Sequence, residues 1–378
     1  MENNTKNFNK YVFLSTFARN LIELFVGTIL LKKGYSLHLV IYYYLLVNIF
    51  SVILGIPCSM ISKKYSNKLL SIIGIISFIG LQVVLNFITT DIYYLYIVSF
   101  LFALYRRCYW ISRRYYTLQV IDNNISKKYS IISILNQLGV MTSTYIGSLL
   151  LQFININVIT LISIILLFIS IYYIYKLDFK NEKNDIKINL FKTIKCTPIS
   201  SIIHIMCYEL QNVVKFLFPL CLVIYVKDTY TVVGLVNLIA NISTLIFTYC
   251  YGILINKNKN YLKISIMLVL IIKLLQINTF DIILMIVSFI EGLTSKMYEQ
   301  SFNKECLILS KKFEYHNYNF MYEMVQNISR LIVVSILFFF ISDIKIMMYV
   351  VLLFISIGIV FEFNTKPRCD NSEVMWKE

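Results

Sequence analysis

The sequence predicts an all-α membrane protein, with twelve transmembrane helices in two pseudo-symmetric six-helix bundles. Three observations lead there. Of 378 residues, 58% are hydrophobic and 15% charged, with a mean hydropathy of +0.71, whereas a soluble domain carries about 25% charge. The apolar residues fall into runs of the ~20 residues needed to cross the hydrocarbon layer. The second half of the chain also repeats polar landmarks of the first.

The runs lie near 11–31, 36–61, 69–88, 92–112, 129–153, 157–175, 199–226, 230–254, 261–278, 280–300, 318–341 and 345–363. The polar segment Met1–Lys10 has no small-residue cleavage site, and the run after it is too long for a signal peptide's apolar core, so it is expected to stay as a span. Tyr129–Tyr175 holds no Asp, Glu, Lys or Arg over 47 residues and reads as two spans broken at Ile154–Asn157. Thr229–Asn256 is equally free of charge. In lipid every backbone amide must be satisfied within its own segment or in a closed barrel. Continuous apolar runs lack the alternation of barrel strands, so these are helices.

Charge orients them. The net charge is +15; on a soluble protein that would suggest nucleic acid, but no basic soluble domain is present to bind one. With the N-terminus inside, connections on the inner side hold 24 Lys and Arg and those on the outer side four. That asymmetry puts both termini in the cytoplasm of a plasma-membrane, multi-pass protein. The polar stretch from Lys176 to Lys195 falls halfway along. The expected organisation is an N-terminal six-helix bundle (1–176), a cytoplasmic linker (177–197) and a C-terminal six-helix bundle with a short tail (198–378). Eight cysteines without a C-x-x-C pair and three scattered histidines leave no metal constellation. No cofactor is expected, and the protein is expected to act as a monomer.

The repeat is read by sliding the halves past each other. At an offset of 189, Val98–Leu118 meets Val287–Leu307 with seven of 21 positions identical, and Arg107 falls on Lys296. At 193, Asn48, Lys64 and Asn67 meet Asn241, Lys257 and Asn260. At 192, Arg19, Asn20 and Glu23 meet Gln211, Asn212 and Lys215; at 190, Asn136 and Gln137 meet Gln326 and Asn327. Four alignments at nearly one offset, matching polar residues, indicate a duplicated six-span unit in parallel arrangement.

Twelve spans, inner termini, a central linker and a six-plus-six repeat together resemble the major facilitator superfamily over essentially the whole chain. Its loop between spans 2 and 3, roughly G-x-L-A-D-R-x-G-R-R, is matched here by Ser59-Met-Ile-Ser-Lys63-Lys64-Tyr-Ser-Asn67-Lys68, and between spans 8 and 9 by Gly252-Ile-Leu-Ile-Asn256-Lys257. Lys63 and Asn256 stand where the family has its acid, so the family's acid-to-base latch does not carry over as written. In span 5, Gly139-Val-Met-Thr-Ser143-Thr144-Tyr-Ile-Gly147-Ser148 is similar to the family's antiporter motif without its proline, and reads equally as small residues that let helices approach closely. The resemblance implies alternating access between two rocking halves, with spans 1, 4, 7 and 10 lining a central cavity and 3, 6, 9 and 12 facing lipid.

Charges within spans follow that partition, spans 3, 6 and 12 having none in their cores and span 9 one, Lys273, near its outer end. Arg19 and Glu23 lie in span 1, Arg106 and Arg107 in span 4, Glu209 and Lys215 in span 7, Glu291, Lys296 and Glu299 in span 10, and Glu323 and Arg330 in span 11. A charge at mid-bilayer costs about 2.5–3.5 kcal/mol or more, so each should face a cavity or a partner. In one reading they neutralise each other, Glu23 with Arg19 or Lys215 and Glu323 with Arg330. In the other, a buried carboxylate carries a proton; Glu23, Glu209 and Glu291 are the candidates. Arg19, Asn20, Arg106, Arg107, Asn212, Lys215, Lys296, Glu323, Gln326, Asn327 and Arg330 are candidates to line the cavity and favour an anionic or zwitterionic solute. Arg107 and Trp110 share a helix face suited to a cation–π surface, while Arg113 and Arg114 read as interfacial anchors.

The function expected is secondary active transport of a small solute, driven by an ion gradient. No phosphate-binding loop or hydrolase triad is present. Two alternatives stay open, a polytopic protein of polysaccharide assembly and a non-transporting sensor or immunity protein.

Overall fold

Apolar runs in lipid have no backbone partners but their own, and the chain is helical accordingly. The computed structural model describes residues 2–120, 125–178, 193–195, 197–225, 230–254, 262–279, 282–312 and 315–364. The long elements are α1 (Glu2–Asn20), α2 (Val26–Lys32), α3 (Leu37–Lys64), α4 (Asn67–Phe87), α5 (Ile92–Val120), α6 (Ile125–Phe153) and α7 (Ile156–Tyr175). They continue with α8 (Ile199–Tyr225), α9 (Tyr230–Leu254), α10 (Leu262–Asn278), α11 (Ile282–Lys312), α12 (Tyr315–Phe340) and α13 (Ile344–Asn364).

Short polar residues start these helices by accepting otherwise unpaired amides. Ser36 Oγ accepts from Leu39 N at 3.3 Å, and Ser66 Oγ from Leu69 N at 3.0 Å. Asn155, in the expected break before α7, accepts from Asn157 N at 3.2 Å. Asp343 Oδ1 accepts from Lys345 N and Ile346 N at 2.8 and 3.0 Å, starting α13. Gly34, at φ +98°, turns the chain out of α2, a backbone conformation that a β-carbon disfavours.

Among the described residues, nine helical stretches are long and apolar enough to cross a membrane. The other three expected spans are α10, only 17 residues long, and α5 and α11, which carry Arg106, Arg107, Arg113 and Arg114, and Glu291, Lys296 and Glu299, respectively. The first span is not the continuous helix expected over 11–31. It stops at Asn20, passes through a 3-10 turn at Glu23–Phe25 and resumes as α2. Asn20 Nδ2 donates to the Thr16 carbonyl at 2.8 Å, competing with the helix's own bonds, while the amides of Ile22 and Phe25 drop to i−3 acceptors.

Polar contacts define the two ends of the molecule. Asn4 donates to the Asp178 carbonyl and Lys68 to that of Tyr175, which collects the N-terminus, the α3–α4 turn and the end of α7 at one end, the near end. Tyr35 with Asp91, Tyr225 with Asp343, and Tyr230 with Gln152 mark the far end.

Helix neighbours come in matched sets. α1 packs on α6 and α7, as α8 packs on α12 and α13; α5 packs on α3 and α4, as α11 packs on α9 and α10; α4 meets α7, as α10 meets α13. Two further pairings, α6 with α9 and α12 with α3, join the sets and are themselves counterparts. Close approach depends on small side chains. A β-carbon on Gly147 of α6 would sit 2.4 Å from the Leu21 carbonyl oxygen, so the antiporter-like stretch serves as a packing surface in this fold.

Candidate functional site

Charged side chains on α5, α8, α11 and α12 turn inward because lipid would leave them unsolvated. With α3, α6 and the α1–α2 break they enclose a cavity of about 460 Å³. Its far end is shut by aromatic contacts: Tyr44 stacks on Phe216 at 4.0 Å, His38 on Phe338 at 4.3 Å, and Lys32 lies over the Tyr230 ring at 3.9 Å. Toward the near end its lining continues to Leu118, Ser310 and Tyr318.

Most of the ionisable groups are paired. Glu323 of α12 takes Arg107 Nη1 at 2.6 Å and also pairs with Arg114, both from α5. Arg107 further donates to the Ser51 carbonyl at 2.6 Å, and Arg114 to Asn319 at 3.1 Å. Arg330 pairs with Glu209 of α8, whose other oxygen accepts from Asn212 at 2.9 Å. Arg19 Nε lies 2.9 Å from Glu23 Oε2 across the helix break. Lys296 lies 3.2 Å from Glu299. Lys273 and Glu291, 2.8 Å apart and joined by Ser295, form a buried cluster between α10 and α11.

The candidates are therefore brought together unevenly. Asn20, Glu23, Arg106, Arg107, Glu209, Asn212, Lys215, Glu323, Gln326, Asn327 and Arg330 line the cavity. Arg19 backs Glu23, and Lys296 backs the lining residue Glu299. Glu291 is placed away from the lining, against Lys273.

The pairing of Glu323 with Arg330 does not occur. Arg330 reaches α8 instead, because Glu323 is taken from the other side by α5. Nor are Arg113 and Arg114 interfacial anchors. Arg113 is 7% exposed and bonded to Tyr109 and Asn136 at 2.7 Å each, and Arg114 faces α12. Trp110 receives Arg19 and Arg113, at 5.4 and 5.1 Å, rather than Arg107. Lys68 lies against Tyr175, and Lys64 over Tyr65 at 5.7 Å; half-buried Lys63 precedes them. Gly252 is in α9, while Asn256 and Lys257 fall outside the described residues. Arg113, Arg114, Asn136 and Asn319 line the site without having been cavity candidates, and Glu299, named only among the charges of span 10, lines it with them. Heptad spacing held a signal for two of them, since Arg113 and Arg114 follow Arg106 and Arg107 by two helical turns on one face. Among the described residues no cluster of His, Cys, Asp and Glu is fit to hold a metal ion.

The chain matches the sequence profile of the Major Facilitator Superfamily over residues 11–303. No curated protein matches it in sequence. Among solved structures it is similar to a bacterial homologue of the iron transporter ferroportin in an outward-facing state (TM-score 0.70, 12% identity, 95% of this chain and 98% of that one). It is also similar to a human organic anion transporter, TETRAN (TM-score 0.67, 10% identity, 96% and 99%), and to the nucleoside transporter NupG (TM-score 0.66, 13% identity, 95% and 99%). At such identities the likeness is one of fold.

Proposed function

The chain belongs to the major facilitator superfamily, and on that premise we propose that it is a secondary active transporter of a small anionic or zwitterionic solute. It works by alternating access, driven by an ion gradient. Its twelve spans form two six-helix halves, 1–176 and 198–378, which rock about the cavity. The matched helix pairings support the two halves, and α6–α9 with α3–α12 form the seam on which they move.

The observation that carries the reading is the cavity itself, lined from both sets of helices by ionisable side chains and bounded differently at its two ends. Aromatic stacking seals the far end. The near end, cytoplasmic by the distribution of Lys and Arg, is bridged among the described residues by the Arg107–Glu323–Arg114 cluster, with Arg114 also on Asn319. The cavity is thus sealed at the far end and held together at the near end by that bridge, a state that opens inward once the bridge breaks. Glu23 and Glu209 face the cavity within ion pairs and are the better proton-carrier candidates, and Glu291 acts through Lys273 if it takes part.

The test is flux in proteoliposomes with an imposed pH gradient. Wild-type protein moves the solute, and Glu23→Gln or Glu209→Gln uncouples it from the gradient while exchange without a gradient persists. Intact pH-driven flux in both variants and in Glu291→Gln rejects proton coupling, and no exchange of any solute rejects transport.

A further inference from the structure

Charge around the cavity does not balance. Among the described residues, eight cations line it or back its carboxylates, namely Arg19, Arg106, Arg107, Arg113, Arg114, Lys215, Lys296 and Arg330. They face four carboxylates, Glu23, Glu209, Glu299 and Glu323. Each carboxylate is already taken: Glu23 by Arg19, Glu209 by Arg330, Glu299 by Lys296, and Glu323 by two arginines at once. Arg113 is held by the neutral oxygens of Tyr109 and Asn136.

Two cations are left over. Arg106 of α5 has the Phe102 ring at 5.8 Å but, among the described residues, no hydrogen bond or ion pair. Lys215 of α8 has none either, and it is exposed although it sits midway along a helix that is otherwise largely buried. Both line the cavity, one from each matched set of helices. Around them the wall is aromatic, with Tyr43, Tyr44, Trp110, Tyr208 and Phe216. An uncompensated cation inside a membrane protein is expensive unless water or an anion completes it, and aromatic faces stack favourably on flat ligand bodies.

We propose that Arg106 and Lys215 form a two-point anion site, and that its ligand is a flat organic compound carrying two ionised oxyacid groups. This rests on the transporter reading for its purpose, and it names that transporter's substrate class. The guanidinium of Arg106 presents a planar fork to one carboxylate or phosphate, and the Lys215 ammonium takes the other as a point charge. Because the two cations come from opposite halves, a ligand that spans them is gripped by both. The paired cations contribute field more than contact, since freeing Arg19, Lys296 or Arg330 leaves Glu23, Glu299 or Glu209 without its cation.

Isothermal titration of the purified full chain in a non-ionic detergent tests this, with four probes: benzene-1,4-dicarboxylate, benzoate, butanedioate and para-xylylenediamine. The aromatic dianion is expected to bind tightest, benzoate and butanedioate more weakly, and the diamine not at all. Arg106→Gln and Lys215→Gln should each weaken the dianion about ten-fold or more, the loss of a hydrogen bond to a charged group, with Lys215→Arg retaining binding. Among the described residues neither is hydrogen-bonded or ion-paired to a group that its loss would strand, and each variant is checked by gel filtration and circular dichroism. Equal binding by wild type and both Gln variants overturns the proposal. So does preferential binding of the diamine, or no binding of any anion at millimolar concentration. The same probes are followed for flux in liposomes. Dianion binding without exchange of any solute keeps the site and rejects the transporter. Exchange of the diamine without anion binding keeps the transporter and rejects the site.

Discussion

Removing the Glu323 carboxylate should open the near end of the cavity. Glu323 lies on α12 and both its arginines on α5, so the bridge exists only while those two helices are close. Arg107 is 2% exposed and its partner's side chain 7%, so little water screens them. A charge pair near 4 Å is worth about 4 kcal/mol at an effective dielectric constant of 20, and breaking one side of a buried pair costs about 3–5 kcal/mol. In Glu323→Gln, Arg107 keeps the Ser51 carbonyl and Arg114, 29% exposed, keeps Asn319 and gains water, so the lower figure applies. About 3 kcal/mol shifts an equilibrium about a hundred-fold, toward whichever conformation separates α5 from α12. The assay is double electron–electron resonance between spin labels at Gln119 and Asn317, with native cysteines replaced. The variant should show longer near-end distances, and Arg107→Gln combined with Glu323→Gln should lie closer to wild type than Glu323→Gln alone. Identical distance distributions in wild type and Glu323→Gln would refute the bridge as a gate.

Further outcomes are expected from elsewhere in the fold. Gly147→Leu should prevent stable folding, seen as lost monodisperse protein on gel filtration, because its β-carbon would stand 2.4 Å from the Leu21 carbonyl and overpacking costs about 1–3 kcal/mol or more. Lys273→Met alone should lower thermal stability more than Lys273→Met with Glu291→Met, since the single change strands a buried carboxylate; a double variant less stable than the single one would count against this. Asp343→Ala should cost about 1 kcal/mol as a lost helix cap. The Asp343 carboxyl, outside the spans, is held below its ordinary value first by the Ile346 amide and then by the Tyr225 hydroxyl. Its contribution is therefore present above the unfolded-state value and disappears as pH falls through the lowered one. Melting temperatures of wild type and variant should converge in acid; a gap independent of pH would contradict the assignment.

Hydropathy carried the helices, and the physical reason is solvent. In hydrocarbon an apolar run has one structure open to it, so α3, α7, α8 and α9 begin and end within a few residues of the runs 36–61, 157–175, 199–226 and 230–254. The inward placement of Glu23, Arg106, Arg107, Glu209 and Lys215 was legible for the same reason, because lipid leaves a charge few places to go. The break in α1 was not, since no proline or glycine marks it and it depends on Asn20 reaching back to Thr16.

Partner choice between helices was decided by tertiary structure, whereas the local pair Arg19–Glu23 was among those the sequence offered. Spacing along one helix suggested that Glu323 belongs with Arg330, yet α5 supplies Arg107 and Arg114 to one and α8 supplies Glu209 to the other. It also set Glu291 against Lys273, away from the cavity. The sequence by itself determined which segments enter the membrane and which side chains must avoid lipid, because both are transfer energies that each residue carries with it. Which cation meets which carboxylate, and which two cations remain unmatched, depends on distances between helices far apart in the chain, and those exist only once the helices have packed.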